Sequence, residues 1–111
     1  MISLYQAQQT EALFMAQVTD YAVMRGWEFM HIQAGLTSAG RYRTPVQGSL
    51  GPGWPDLILV RGDELIAVEL KAQGKYPTPI QKRVLQTLAN AYLEVQVWRP
   101  KDWPLIEERL K

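Results

Sequence analysis

The chain has 111 residues, 47% apolar and 21% charged, which suits one globular domain over residues 1–111 with a single core. It has no cysteine and one histidine; this excludes disulfides, thiolate metal sites, thiol nucleophiles and a multi-histidine cage from one chain, leaving an oxygen-ligated cation such as Mg²⁺ or Mn²⁺ as the metal one subunit could hold. The net charge is only +1, no apolar run approaches the roughly 20 residues of a membrane span, and the start MISLYQAQQTEALF lacks the basic and long apolar regions of a secretory signal, so a soluble cytoplasmic protein is expected.

Apolar spacing predicts a helix over residues 8–25, with Phe14, Val18, Tyr21 and Ala22 on one stripe and Gly26 ending it. Glu11 falls on or beside that stripe, one turn from the start. An acid there is favoured by the helix dipole alone, so a functional role and a structural one both fit. Residues 27–32, WEFMHI, alternate as a strand, and His31 within it reads as a packed or hydrogen-bonded residue rather than a ligand.

Residues 33–53 carry five glycines and two prolines without periodicity, a long loop of the kind that is usually functional or disordered. Arg41, Tyr42 and Arg43 suit phosphate contact and base stacking, though an exposed tip or an oligomer contact would explain them equally.

Two strands are predicted at 56–61 and 64–71 about the tight turn Gly62-Asp63. Alternation puts Leu65, Ala67, Glu69 and Lys71 on one face and Ile66, Val68 and Leu70 on the other. Antiparallel pairing about the turn brings Asp56 to Glu69 and Lys71. Charge in a strand interior is costly unless compensated, so three charges placed this way indicate a site. Converging carboxylates can hold a hard divalent cation, and a lysine beside them can act on water or phosphate.

After the polar loop 72–77, Thr78 and Pro79 open a helix whose apolar stripe is Ile80, Val84, Leu85, Leu88, Ala91 and Tyr92. Gln81, third in that helix, could simply close a capping box with Thr78. Residues 94–98 alternate as another strand with Val95 and Val97 inward, and Asp102 caps a last helix over about 103–110. The expected order α-β-β-β-α-β-α is a mixed α/β domain, a small sheet flanked by helices. From Lys71 to Lys101 the chain has six basic residues against Glu94 alone, which reads either as a solvated surface or as a basic face for a polyanion.

No nucleophile elbow surrounds a serine, and no phosphate-cradling glycine loop leads into a helix, so serine catalysis and a nucleotide cofactor are unsupported. Metal-assisted phosphodiester cleavage fits the constellation best. Pro55-Asp56, thirteen residues, then Glu69-Leu70-Lys71 matches the PD-(D/E)xK pattern of the restriction-endonuclease-like superfamily. Glu11 on the first helix, the approach Gly51-Pro52-Gly53-Trp54, Gln81 after the lysine, and Arg99-Pro100-Lys101-Asp102 after the last strand extend the match. Together they resemble the stand-alone VRR-NUC family of virus-type replication-repair nucleases over nearly the whole chain.

The resemblance implies a restriction-endonuclease-like core in which Asp56, Glu69 and the carbonyl of Leu70 bind Mg²⁺ or Mn²⁺. Glu11 completes the acidic cluster, directly or through water. Lys71 orients or activates the attacking water or stabilises charge, and Gln81 supports the site. It further implies a homodimer that cuts branched DNA in the manner of Holliday-junction resolvases, in a bacterium or a phage-infected cell. An adjacent carboxylate favours a charged Lys71, which points to an electrostatic clamp rather than a general base. Arg41, Arg43, Lys75, Lys82 and Arg83 would hold the phosphate backbone, with Tyr42 available for stacking. A flap, nicking or restriction-type endonuclease on the same scaffold, a catalytically silent DNA-binding module and a small structural domain are the alternatives.

Overall fold

A computed structural model of the chain describes residues 3–32, 35–36, 42–43 and 46–111. Helix α1 (Leu4–Gln8) is short and carries a capping box between Ser3 and Gln6. Helix α2 (Glu11–Met24) starts three residues later than the apolar spacing suggests. Thr10 causes the break: its side chain accepts from the Leu13 N–H and caps a new helix, while Gln9 before it is extended. Gly26, at φ 87°, then turns the chain into strand β1 (Glu28–His31).

Strands β2 (Gly35–Leu36) and β3 (Tyr42–Arg43) pair antiparallel with each other, so part of the stretch expected to be irregular is a small hairpin. Strands β4 (Leu57–Arg61) and β5 (Glu64–Leu70) follow, joined by a two-residue turn with Gly62 at φ 61°. Helix α3 (Pro79–Asn90), strand β6 (Glu94–Trp98) and helix α4 (Trp103–Leu110) complete the chain. The main sheet has the order β1-β4-β5-β6. Its first three strands are antiparallel neighbours, and β6 is parallel to β5, with α3 as the crossover between them. The expected mixed α/β architecture with one small sheet and flanking helices is therefore present.

Alternation divides the sheet between two layers. Leu57 and Leu59 of β4, Ile66, Val68 and Leu70 of β5 and Trp98 of β6 form one core with Phe14, Val18 and Ala22 of α2 and Ile106 and Leu110 of α4. The opposite face carries Ala67 and Glu69 and meets α3, whose buried residues are Val84, Leu85 and Leu88. Val95 and Val97 are half-buried, because they look toward α3 while Trp98 enters the larger core. Tyr92 departs from the predicted stripe: it is 98% exposed and adopts φ 65° just past the helix end. Among the described residues no helix is long and apolar enough to cross a membrane.

One close approach fixes how the chain enters β4. Gly51–Gly53 forms a single 3₁₀ turn against α3. A Cβ on Gly53 would lie 2.5 Å from the Ile80 carbonyl oxygen and 2.8 Å from Val84 Cγ2. The first neighbour is backbone and cannot swing away. Gly53→Ala should therefore destabilise the fold by about 2 kcal/mol, the usual cost of overpacking, read as a lower urea midpoint at unchanged m-value. A midpoint equal to the parent's would mean that this approach to α3 is not rigid.

Candidate active site

The β4–β5 register pairs Leu57 with Val68, which sets Asp56 opposite Glu69 at the end of the hairpin. Both side chains lie on the face away from the larger core. The Leu70 N–H donates to Asp56 Oδ1 at 3.2 Å. A strand residue's N–H and C=O point to the same side, so the Leu70 carbonyl also faces Asp56. The next residue turns the other way: the Lys71 N–H donates to the Trp98 carbonyl at 3.0 Å. Its side chain rises on the Glu69 face and brings Nζ to 3.4 Å from Glu69 Oε2.

Gln81 serves two purposes at once. Its Oε1 accepts from the Thr78 N–H at 2.8 Å, closing the capping box, and its Nε2 donates to Glu69 Oε2 at 3.3 Å. The cap thus holds the amide in place as a donor to the buried carboxylate. Glu11, the first residue of α2, arrives from the opposite layer past the strand ends. Its Oε1 accepts a long bond, 3.4 Å, from the Ala72 N–H. It is exposed and stands off the buried stripe of α2.

These residues line one cleft of about 350 Å³ together with His31, Ile32, Gly51, Pro52 and Trp54. His31 is there because β1 pairs with β4 in the register His31 to Leu57, and the Ile32 N–H donates to the Asp56 carbonyl at 2.8 Å. That long-range pairing delivers the end of β1 to Asp56, so His31 is not packed into the core: its side chain is exposed and lines the cleft. Trp54 and Pro52 form part of the wall as well, a role that does not follow from residue type or spacing. Their signal was present in the order Gly-Pro-Gly-Trp-Pro-Asp, which binds the wall to the acid by chain connectivity.

Electrostatically the cleft is overloaded with negative charge. Burial pushes the Asp56 carboxyl up to about 6; the Leu70 N–H and His31 pull it down, and Glu11 pushes it further up. Burial also pushes Glu69 up to about 7, with the nearby Asp56 charge adding to the rise and Lys71 opposing it. Glu69 is only 4% exposed, and Lys71 is its single ion-pair partner among the described residues. Among the described residues no three histidine, aspartate or glutamate side chains converge closely enough to make a complete metal cage. What is available is one buried carboxylate, Glu69, one half-buried carboxylate, Asp56, and one strand carbonyl, all oxygen donors, with Glu11 across the cleft. That set fits Mg²⁺, a small cation that keeps several waters and takes one or two protein carboxylates.

The basic residues expected to grip a backbone are arranged less simply. Lys75, Lys82 and Arg83 are exposed and outside the cleft wall. Lys82 and Arg83 follow Gln81 on α3. Arg83 donates to the Ser49 carbonyl at 2.6 Å and so ties the glycine-rich approach to α3. Arg99, stacked 4.7 Å over the Tyr76 ring, donates to the Lys75 carbonyl at 2.8 Å and secures the loop after Lys71. Arg41 and the side chains of Tyr42 and Arg43 lie outside the described residues.

Comparison of the chain with protein-family models, with curated proteins and with solved structures finds no match. The site is therefore defined by its own geometry.

Proposed function

We propose that this chain is a metal-dependent DNA endonuclease of the PD-(D/E)xK type, with a restriction-endonuclease-like core and similar to the stand-alone VRR-NUC nucleases. The observation that carries the reading is the opposition of half-buried Asp56 and buried Glu69 across one hairpin, with Lys71 and Gln81 both on Glu69. A structural ion pair would leave the second carboxylate without compensation, which is costly for buried charge.

Asp56, Glu69 and the Leu70 carbonyl are the groups that would hold Mg²⁺ or Mn²⁺, with Glu11 joining them. The cation would lower the pKa of a water molecule and neutralise charge developing on the phosphate. Lys71 Nζ, fixed by Glu69, is positioned to orient the attacking water and to stabilise the extra negative charge on phosphorus-bound oxygen. Gln81 keeps Glu69 oriented toward the cleft. Hydrolysis would form a bond from water oxygen to phosphorus, with loss of a proton from the water, and break the bond from phosphorus to the leaving deoxyribose oxygen, which takes up a proton.

A monomer of this size cannot span a four-way junction, and two symmetric subunits could present two sites to opposed strands. We therefore read the substrate as branched DNA and the working unit as a homodimer. Cleavage of a mobile Holliday junction, a flap, a nicked duplex and a linear duplex in Mg²⁺ and in Mn²⁺ tests this directly. Junction cleavage should exceed linear-duplex cleavage by about 100-fold or more and weaken steeply with salt. Equal rates on junction and linear duplex would remove the branched-DNA assignment and leave a restriction-type or nicking enzyme.

A further inference from the structure

Beside the acidic cleft lies a second, apolar cavity of about 160 Å³, lined by Ile32, Val46, Gln47, Leu50, Gly51 and Trp54. It shares Ile32, Gly51 and Trp54 with the cleft, so these three residues, of which Trp54 is the largest, form the wall where the carboxylate site adjoins the apolar recess. The wall is held firmly. The Trp54 N–H donates to the Gly51 carbonyl at 3.2 Å. Gly53 before it is packed on Ile80 and Val84, and Pro55 after it is fully buried. The Arg83 bond to Ser49 ties the start of the same segment to α3.

We infer that this recess takes the nucleobase of an unpaired nucleotide adjoining the scissile phosphate, with Trp54 as its stacking platform. The inference rests on the nuclease reading and supplies a physical source for its preference. Phosphate and base of one nucleotide are adjacent groups of opposite character. An acidic, cation-ready cleft joined through one aromatic wall to an apolar recess matches that pair. The volume is on the scale of a single base and too small for a base pair. A base stacked within duplex must therefore be extruded to enter, at a cost that is least where it is already unpaired. Flaps and frayed ends present such nucleotides, and pairs at a branch point open more readily than those within intact duplex. Stacking on an indole is tolerant of base identity, so the recess would select for an unpaired nucleotide rather than for a sequence.

The test places an abasic analogue, one position at a time, at the nucleotides flanking the cut in a junction or splayed-arm substrate. With the unmodified protein, one flanking position should lose about 10- to 100-fold in kcat/KM when its base is removed, the range expected for one base–aromatic stack. In Trp54→Ala the same abasic change should cost less than about 3-fold, because the two changes remove the same contact and do not add. Trp54→Phe should restore most of the sensitivity to the missing base. Indifference of the unmodified protein to abasic sites on both sides of the cut would overturn the inference without any variant having to fold. An undiminished abasic loss in Trp54→Ala would overturn the role of Trp54. Absence of any DNA cleavage in Mg²⁺ or Mn²⁺ is a different failure: it would remove the nuclease reading and this recess with it.

Discussion

Asp56→Ala and Lys71→Ala should each abolish Mg²⁺-dependent DNA cleavage, with rates falling on the order of 1,000-fold or more, while DNA binding measured in Ca²⁺ changes little. The two losses differ in cause. Asp56→Ala removes one of two opposed carboxylates and the acceptor of the Leu70 N–H. It should weaken cation binding itself. Lys71→Ala leaves both carboxylates in place but takes away the cation that holds Glu69 down. The remaining activity of Lys71→Ala should therefore have its pH profile displaced toward higher pH, since a higher-lying Glu69 must still ionise. Folding is not the difficulty, because both residues stand at the rim of the sheet and outside the larger core. Circular dichroism and thermal melting of the variants check that point. Cleavage at parental rates in either variant would remove these residues from the site.

The hairpin that carries this site was readable locally. Strict alternation on both sides of Gly62-Asp63 fixes the pairing, and the pairing fixes Asp56 against Glu69. The cap of α3 was equally legible from Thr78, Pro79 and Gln81. What local pattern could not show is that Gln81 spends its two ends on different partners, since that depends on α3 docking beside β5. The place of His31 was hidden for a related reason. A four-residue strand carries little periodicity, and only its long-range register with β4 sends its end to Asp56. The early break between α1 and α2 is a different kind of miss. Apolar spacing continued through it, but Thr10 was a stronger stop-and-start signal than the stripe. In the case of Arg83, charge alone suggests a phosphate contact, and the fold adds one that sequence does not show: a bond from the exposed guanidinium to a carbonyl of the protein's own loop. A guanidinium near a glycine-rich segment has many carbonyls to choose from, and sequence does not rank them.

Without a divalent cation, the site should make the protein less stable as pH rises toward neutrality. Burial raises Asp56 to about 6 and Glu69 to about 7, both above their unfolded values. The native state thus binds more protons than the unfolded chain between about pH 4 and pH 7. The contribution of these two groups is full below their unfolded pKa values and is lost as pH rises through the folded ones. At pH 8 both are ionised, facing one another, with Lys71 compensating one of them. Adding Mg²⁺ or Mn²⁺ reverses the dependence, because the cation binds the ionised pair and must displace protons to do so at lower pH. At about 100 times its Kd the cation contributes about 2.7 kcal/mol, on the order of 10 °C in Tm for a domain of this size. That increment should be present at pH 8 and nearly absent at pH 5. Glu69→Gln keeps the shape and an acceptor for Gln81 while removing the charge. It should raise the metal-free Tm at pH 8 by about 5 °C and suppress the Mg²⁺ increment. Calorimetry at pH 5 and pH 8, with and without the cation, reads all four corners. An Mg²⁺ increment of equal size at both pH values would show that the cation binds elsewhere. A Glu69→Gln variant less stable than the parent at pH 8 would show that Glu69 is a structural ion-pair partner of Lys71. The expected pattern instead has the opposed carboxylates costing stability in the free protein and returning it when a cation is bound.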